Sequence, residues 1–162
     1  MTDTSGLFPG KHFISTVLDA LETKTAMSGG LARVYLMRAA IAGGLIGVMY
    51  LTNYAIIAAF ADAGGDTFVS IGRMVGALVF GFALVFIYYS KSELLTSNMM
   101  IVSIGAYYRR TTCMKAARVL LLCYIGNILG GFVVALMVVG STLGDGGVGE
   151  QMQAGVDHKL AY

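Results

Sequence analysis

Ser90-Lys91-Ser92-Glu93-Leu94-Leu95-Thr96-Ser97-Asn98 decides how this chain is read. These residues interrupt an apolar stretch that runs from about 68 to 108. One membrane crossing takes about 20 mostly apolar residues, and this stretch is about twice that length. Either the polar segment turns the chain between two crossings, or it is a non-helical break inside one crossing.

Charge separates the two readings. Two other stretches are apolar enough to cross, about 31–63 and about 116–139. Lys11, Lys24, Arg33 and Arg38 precede or begin the first. Arg109, Arg110, Lys115 and Arg118 follow the interrupted stretch. Around the junction of the first two stretches stand Asp62, Asp66 and only Arg73, and the tail after the third carries Asp145, Glu150 and Asp157. Basic flanks belong on the cytoplasmic side, so an even number of crossings separates the two basic clusters. One crossing each for 31–63 and 68–108 satisfies this. The chain therefore reads as a multi-pass protein of the inner (cytoplasmic) membrane with its N-terminus cytoplasmic, three crossings and a broken second helix. A broken helix frees backbone N–H and C=O groups that lipid cannot satisfy, so the break is buried in protein or lines a watery cavity. Its polar residues serve as helix caps, as pathway residues, or as both.

Composition supports a membrane protein. Of 162 residues, 57% are hydrophobic and 12% charged, which excludes a disordered chain, a coiled coil and an ordinary soluble domain. Mean hydropathy is +0.76. A net charge of +2 gives no footing for nucleic acid. The only proline, Pro9, lies outside every apolar stretch, and with no Trp an interfacial aromatic belt has to come from Tyr. The first thirty residues do not read as a signal peptide. Within them Phe13, Ile14, Val17, Leu18 and Leu21 recur at helical spacing, predicting an amphipathic helix on the cytoplasmic interface. The expected organisation is a cytoplasmic segment, 1–30, and a membrane domain, 31–162.

The remaining features suit packing. Gly43 and Gly47, Gly72 and Gly76, and Gly126 and Gly130 place one small-xxx-small pair in each span, as close helix contact requires. Asn53 and Asn127 read first as interhelical hydrogen bonders. Cys113 and Cys123 lie about 15 Å apart along one helix, too far for a disulfide. His12 and His158 stand at opposite ends, so no metal or catalytic cluster forms in the sequence, no cofactor is expected, and the chain does not read as an enzyme.

Three motifs resemble the formate/nitrite transporter family in order and spacing. Ser92-Glu93-Leu94-Leu95-Thr96-Ser97-Asn98-Met99-Met100 is similar to its broken-helix signature. Tyr124-Ile125-Gly126-Asn127-Ile128-Leu129-Gly130-Gly131 is similar to its third-helix Gly-Asn motif, and Ala154-Gly155-Val156-Asp157-His158-Lys159 to the segment that follows. The resemblance implies an aquaporin-like helical bundle assembled as a homopentamer, with a pore in each subunit for small monovalent anions such as formate, nitrite or hydrosulfide, and protons. It implies an Ω loop at the break, formed at the pore by Leu94, Leu95 and Thr96. Glu93 would anchor that loop through backbone N–H groups, with Ser97 and Asn98 supporting it. Phe80 and Leu84 would line a hydrophobic constriction, and Lys159 would draw the anion in.

The same family pattern has two inverted three-helix repeats, and this chain matches the first. The family's central pore histidine lies in the second repeat, and neither His12 nor His158 replaces it. The expectation is a fragment or a half-length subunit that must pair. Two functions stay open at this point: an anion channel or transporter, favoured by Glu93, Thr96 and Lys159, and a non-conducting structural or assembly subunit, favoured by the single repeat.

Overall fold

The computed structural model describes residues 9–144 and 146–161, and every regular element among them is helical. The helices are α1 (Pro9–Gly30), α2 (Ala32–Gly64), α3 (Asp66–Phe80), α4 (Phe82–Tyr89), α5 (Leu95–Tyr107), α6 (Cys113–Val139) and α7 (Gly147–Leu160). A single 3-10 turn, Thr142–Gly144, precedes α7. Asp145, one of the acidic residues of the tail, lies outside the described residues.

Among the described residues three helices are long and apolar enough to cross a membrane: Ala32–Gly64, Thr67–Tyr89 and Cys113–Val139. The first and third agree with the stretches read from sequence. The second differs in a useful way. Its 23 residues already suffice for one crossing, whereas the 13 residues of α5 do not. The break therefore follows a full-length span and does not divide one at its middle. The Glu93 N–H donates to Arg38 O, and Arg38 is the seventh residue of α2. At 1.5 Å per residue the break lies about 10 Å from the start of α2, toward the basic end of the bundle.

Helix α2 is the central post, packed along α6, α3 and α7. The small-residue pairs create these seams. A Cβ at Gly43 would overlap the backbone of Asn127, and one at Gly130 the backbone of Ala40. A Cβ at Gly126 would strike Ala39. Gly72 sits over Ile57 and Phe60, and Gly76 over Asn53. In lipid there is no hydrophobic drive between helices, so van der Waals contact at such close approach holds them together.

Helix α1 does more than lie on an interface. Val17 and Leu21 are buried in one core with Tyr35, Ile101, Val119 and Cys123, and Leu21 packs over Gly105 of α5. The amphipathic stripe was legible, but its apolar face is turned to the bundle.

Both ends of the interrupted region close in the same way. After α4, Lys91 N–H donates to Tyr88 O and Ser92 N–H to Ile87 O, with Lys91 at φ 51°. After α5, Arg109 N–H donates to Ala106 O and Arg110 N–H to Gly105 O, with Arg109 at φ 54°. These are Schellman closures with a basic residue where glycine is usual. A left-handed non-glycine residue costs about 1–2 kcal/mol, partly offset here by a cation beside the negative helix end.

The seam sets a test. Gly130→Leu should lower stability in detergent by about 3 kcal/mol or more, the upper end of overpacking, by driving α6 from α2. Gly144→Ala, where nothing lies within 4 Å, should leave the thermal midpoint unchanged.

Candidate functional site

The break at 90–94 is held by side chains from two other helices. Asn127 of α6 grips both sides of it. Its Nδ2 donates to Glu93 O at 2.8 Å and to Ala39 O at 2.8 Å. Its Oδ1 accepts the Leu95 N–H at 3.0 Å. Leu95 opens α5, so Asn127 caps that helix from across the bundle, the work usually done by a residue of the same chain segment. Cys123 Sγ donates to Glu93 O at 3.3 Å, and Arg38 Nε donates to Lys91 O at 2.8 Å. Backbone groups freed by the break are thus satisfied by protein, as a membrane interior demands.

The Glu93 side chain is 3% exposed. Its carboxylate does not take the backbone N–H groups expected of it. It pairs instead with Lys24 Nζ from α1 and with Arg38 Nη2 from α2, the latter at 3.3 Å. The side chain outcompetes the local amides because two full cations are within reach, and charge-assisted pairs are the stronger ones. Helices α1 and α2 and the break itself meet at this carboxylate.

Behind it lies a second polar knot. Asn98 is fully buried, and its Nδ2 donates to Tyr35 Oη at 2.9 Å and to Cys123 Sγ at 3.1 Å. Among the described residues Asn98 Oδ1 has no partner. The knot ties α5 to α2 and α6 directly under the break.

The proposed site residues divide among three places. Leu84, Leu94, Ser97 and Glu93 share a cavity of about 750 Å³ with Lys24, Arg38 and Ser92. Leu95 faces elsewhere, toward the core and a different cavity with Met99. Thr96 is exposed on the first turn of α5. At the other end of the bundle Lys159 lines a cavity of about 430 Å³ with Arg73, His158, Tyr54 and Ala77, and among the described residues the lining carries no carboxylate. Lys159 Nζ stands 5.4 Å from the centre of the Tyr50 ring, a cation–π distance. Tyr50 meets Phe80 edge-on at 4.8 Å.

One stripe connects the outer cavity to the cavity at the break. Arg73, Ala77, Phe80, Leu84 and Ile87 follow one another at steps of three or four residues, so they form one stripe along α3 and α4. Arg73 and Ala77 line the outer cavity, and Leu84 and Ile87 line the cavity at the break. Phe80 stands between them.

Lys24, Arg38 and Asn127 are the site residues that sequence reasoning placed elsewhere, the first two as topology markers and the third as a packing residue. A carboxylate in an apolar chain announces that a cation must be near. Nothing in the spacing from Lys24 to Glu93 names which one. Tyr50 and Arg73 carried no signal beyond their types.

The geometry defines a class: a helical membrane bundle whose broken helix is pinned by a buried carboxylate between two cations. The family model described as formate/nitrite transporter matches residues 11–162. The chain belongs to that family. Neither the curated proteins nor the solved structures give a match.

The ion pair yields a test with a built-in control. Glu93→Gln leaves two cations without a partner and should lower stability by about 3–5 kcal/mol. Removing the charges together, in Lys24→Met with Glu93→Met and Arg38→Met, should recover most of that loss. A triple variant no more stable than Glu93→Gln would show that the pairing is not what holds the break.

Proposed function

We propose that this chain forms part of a pathway for small monovalent anions of weak acids, with formate, nitrite and hydrosulfide as the candidates. Family membership supports membrane transport of anions as the activity. The observation that carries the finer reading is the stripe on α3 and α4. It joins a cavity lined by Arg73, His158 and Lys159 to the cavity beneath the break, with Phe80 and Leu84 between.

The chemistry follows from that order. The positive charges of Arg73 and Lys159 in this lining raise the local concentration of anions. Phe80 and Leu84 then oppose a charged, hydrated species, because stripping its water in an apolar constriction is expensive. A weak-acid anion escapes this barrier by taking a proton in the outer cavity and crossing as the neutral acid. A strong-acid anion such as chloride has no such route. Leu94, Thr96 and Ser97 receive the solute at the other end, where Glu93, neutralised by its partners, does not repel it.

The larger architecture belongs to the same proposal. The three spans act as one aquaporin-like repeat, with the break as its Ω loop, in a homopentamer of the cytoplasmic membrane with the N-terminus inside. Leu78, at 75% exposure, and Leu84, at 60%, leave the stripe open on one side. Further helices, from a second repeat or another copy, complete the wall.

In proteoliposomes the chain by itself should show formate flux near the lipid background. Co-reconstitution with a second repeat should raise it, and formate should exceed chloride. Against the raised flux, Lys159→Gln with Arg73→Gln should cut formate entry about tenfold, the loss of roughly 1.4 kcal/mol of attraction. Thr96→Val should lower flux with an unchanged melting midpoint. Equal passage of formate and chloride would contradict the weak-acid reading.

A further inference from the structure

A groove of about 950 Å³ opens on the basic end of the bundle, away from the stripe just described. Its long wall is one face of α6, where Met114, Arg118, Leu121 and Leu122 follow at helical spacing with Lys115 beside them. Leu95 and Met99 of α5 form the opposite wall, and Ser28 and Ala32 close the top where α1 meets α2.

The wall is graded. Lys115 and Arg118 stand at the mouth, within the first two turns of α6. Apart from these two the lining is apolar except for Ser28 and the Tyr124 hydroxyl. Arg118 Nη1 reaches across the mouth to the last turn of α1, 3.7 Å from where a Cβ on Gly29 would lie. Among the described residues the lining contains no carboxylate. Among the described residues the buried carboxylate Glu93 is paired with Lys24 and Arg38, and neither Lys115 nor Arg118 takes part in such a pair. Arg109 and Arg110, on the loop that leads into α6, add positive charge on the same side.

We infer that this groove is a binding site for an anionic phospholipid of the leaflet at the basic end of the bundle. A phosphate between Lys115 and Arg118 is met by two cations at headgroup level, and Arg offers the fork that suits phosphate oxygens. The acyl chain continues along Leu121 and Leu122 against Leu95 and Met99. That gradient, charge at the interface and hydrocarbon below it, complements a lipid along its whole length. A protein helix docked in the same groove would have to bring its own acids to the mouth. Because Leu95 and Met99 belong to the first turns after the break, a seated lipid buttresses α5 where it faces the first turns of α6. The inference does not depend on the transport reading.

The test is native mass spectrometry of the full chain in detergent micelles doped with phosphatidylglycerol or phosphatidylcholine. Phosphatidylglycerol should be retained and phosphatidylcholine lost. Each interfacial cation contributes roughly fivefold to affinity for an anionic headgroup, so Lys115→Gln with Arg118→Gln should weaken retention about thirtyfold. The melting midpoint without lipid should not change, because both side chains are exposed. Leu121→Trp fills the groove without touching charge and should expel the phosphatidylglycerol as well. Equal retention of the two lipids, or full retention by either variant, would overturn the proposal. So would oligomers whose groove excludes phosphatidylglycerol.

Discussion

A carboxylate withdrawn from water inside an apolar bundle has to be met by positive charge, and most of this structure follows from how Glu93 is met. The cost of leaving it alone is several kcal/mol. Its cations come from two different helices, Lys24 on α1 and Arg38 on α2. Arg38 also donates to Lys91 O, so one guanidinium holds both the side chain and the backbone of the interrupted segment. Helix α1 is thereby docked by charge as well as by Val17 and Leu21. A segment that composition alone assigns to the membrane surface becomes part of the core.

The ion pair works only because the backbone beside it is satisfied. Asn127 does this with one amide, donating to Glu93 O and accepting from Leu95 N–H. Its reach depends on α6 lying hard against α2, which the glycines at 43, 126 and 130 permit. Packing and polar satisfaction are therefore one device. Widen the seam and the amide no longer spans the break; the freed N–H and C=O groups then face hydrocarbon. The lower half of the stripe on α3 and α4 opens onto the space this device preserves.

Much of this was legible in the residues. Hydropathy and the placement of basic residues give the spans Ala32–Gly64 and Cys113–Val139 to within a few residues. The polar segment 90–98 marks the interruption, because nothing else explains Glu93 in an apolar run. The exact stopping point of α4 was hidden, since Lys91 occupies a left-handed position where glycine would have signalled the end. The depth of the break was hidden too, because it depends on which residue of α2 the Glu93 N–H finds. Leu84 and Leu94 line one cavity, separated though they are by the interruption. The family resemblance puts Leu95 beside Leu94 in the loop, whereas the first turn of α5 turns it toward the core and the cavity with Met99. The partners of Glu93 lie 55 and 69 residues away, and only the fold brings them together.

The central claim is that Asn127 and the cations around Glu93 hold the break in one conformation within the three-span bundle. Amide hydrogen exchange in detergent, read residue by residue in the chain and in Asn127→Leu, tests it most directly. The Glu93 and Leu95 amides should be protected in the chain, being hydrogen-bonded to Arg38 O and Asn127 Oδ1. In Asn127→Leu the Leu95 amide should exchange at least about tenfold faster, the loss of one buried hydrogen bond worth about 1.5 kcal/mol, while amides in the middle of α2 and α6 keep their protection. Unchanged protection at Leu95, or loss spread evenly over all three spans, would contradict the account.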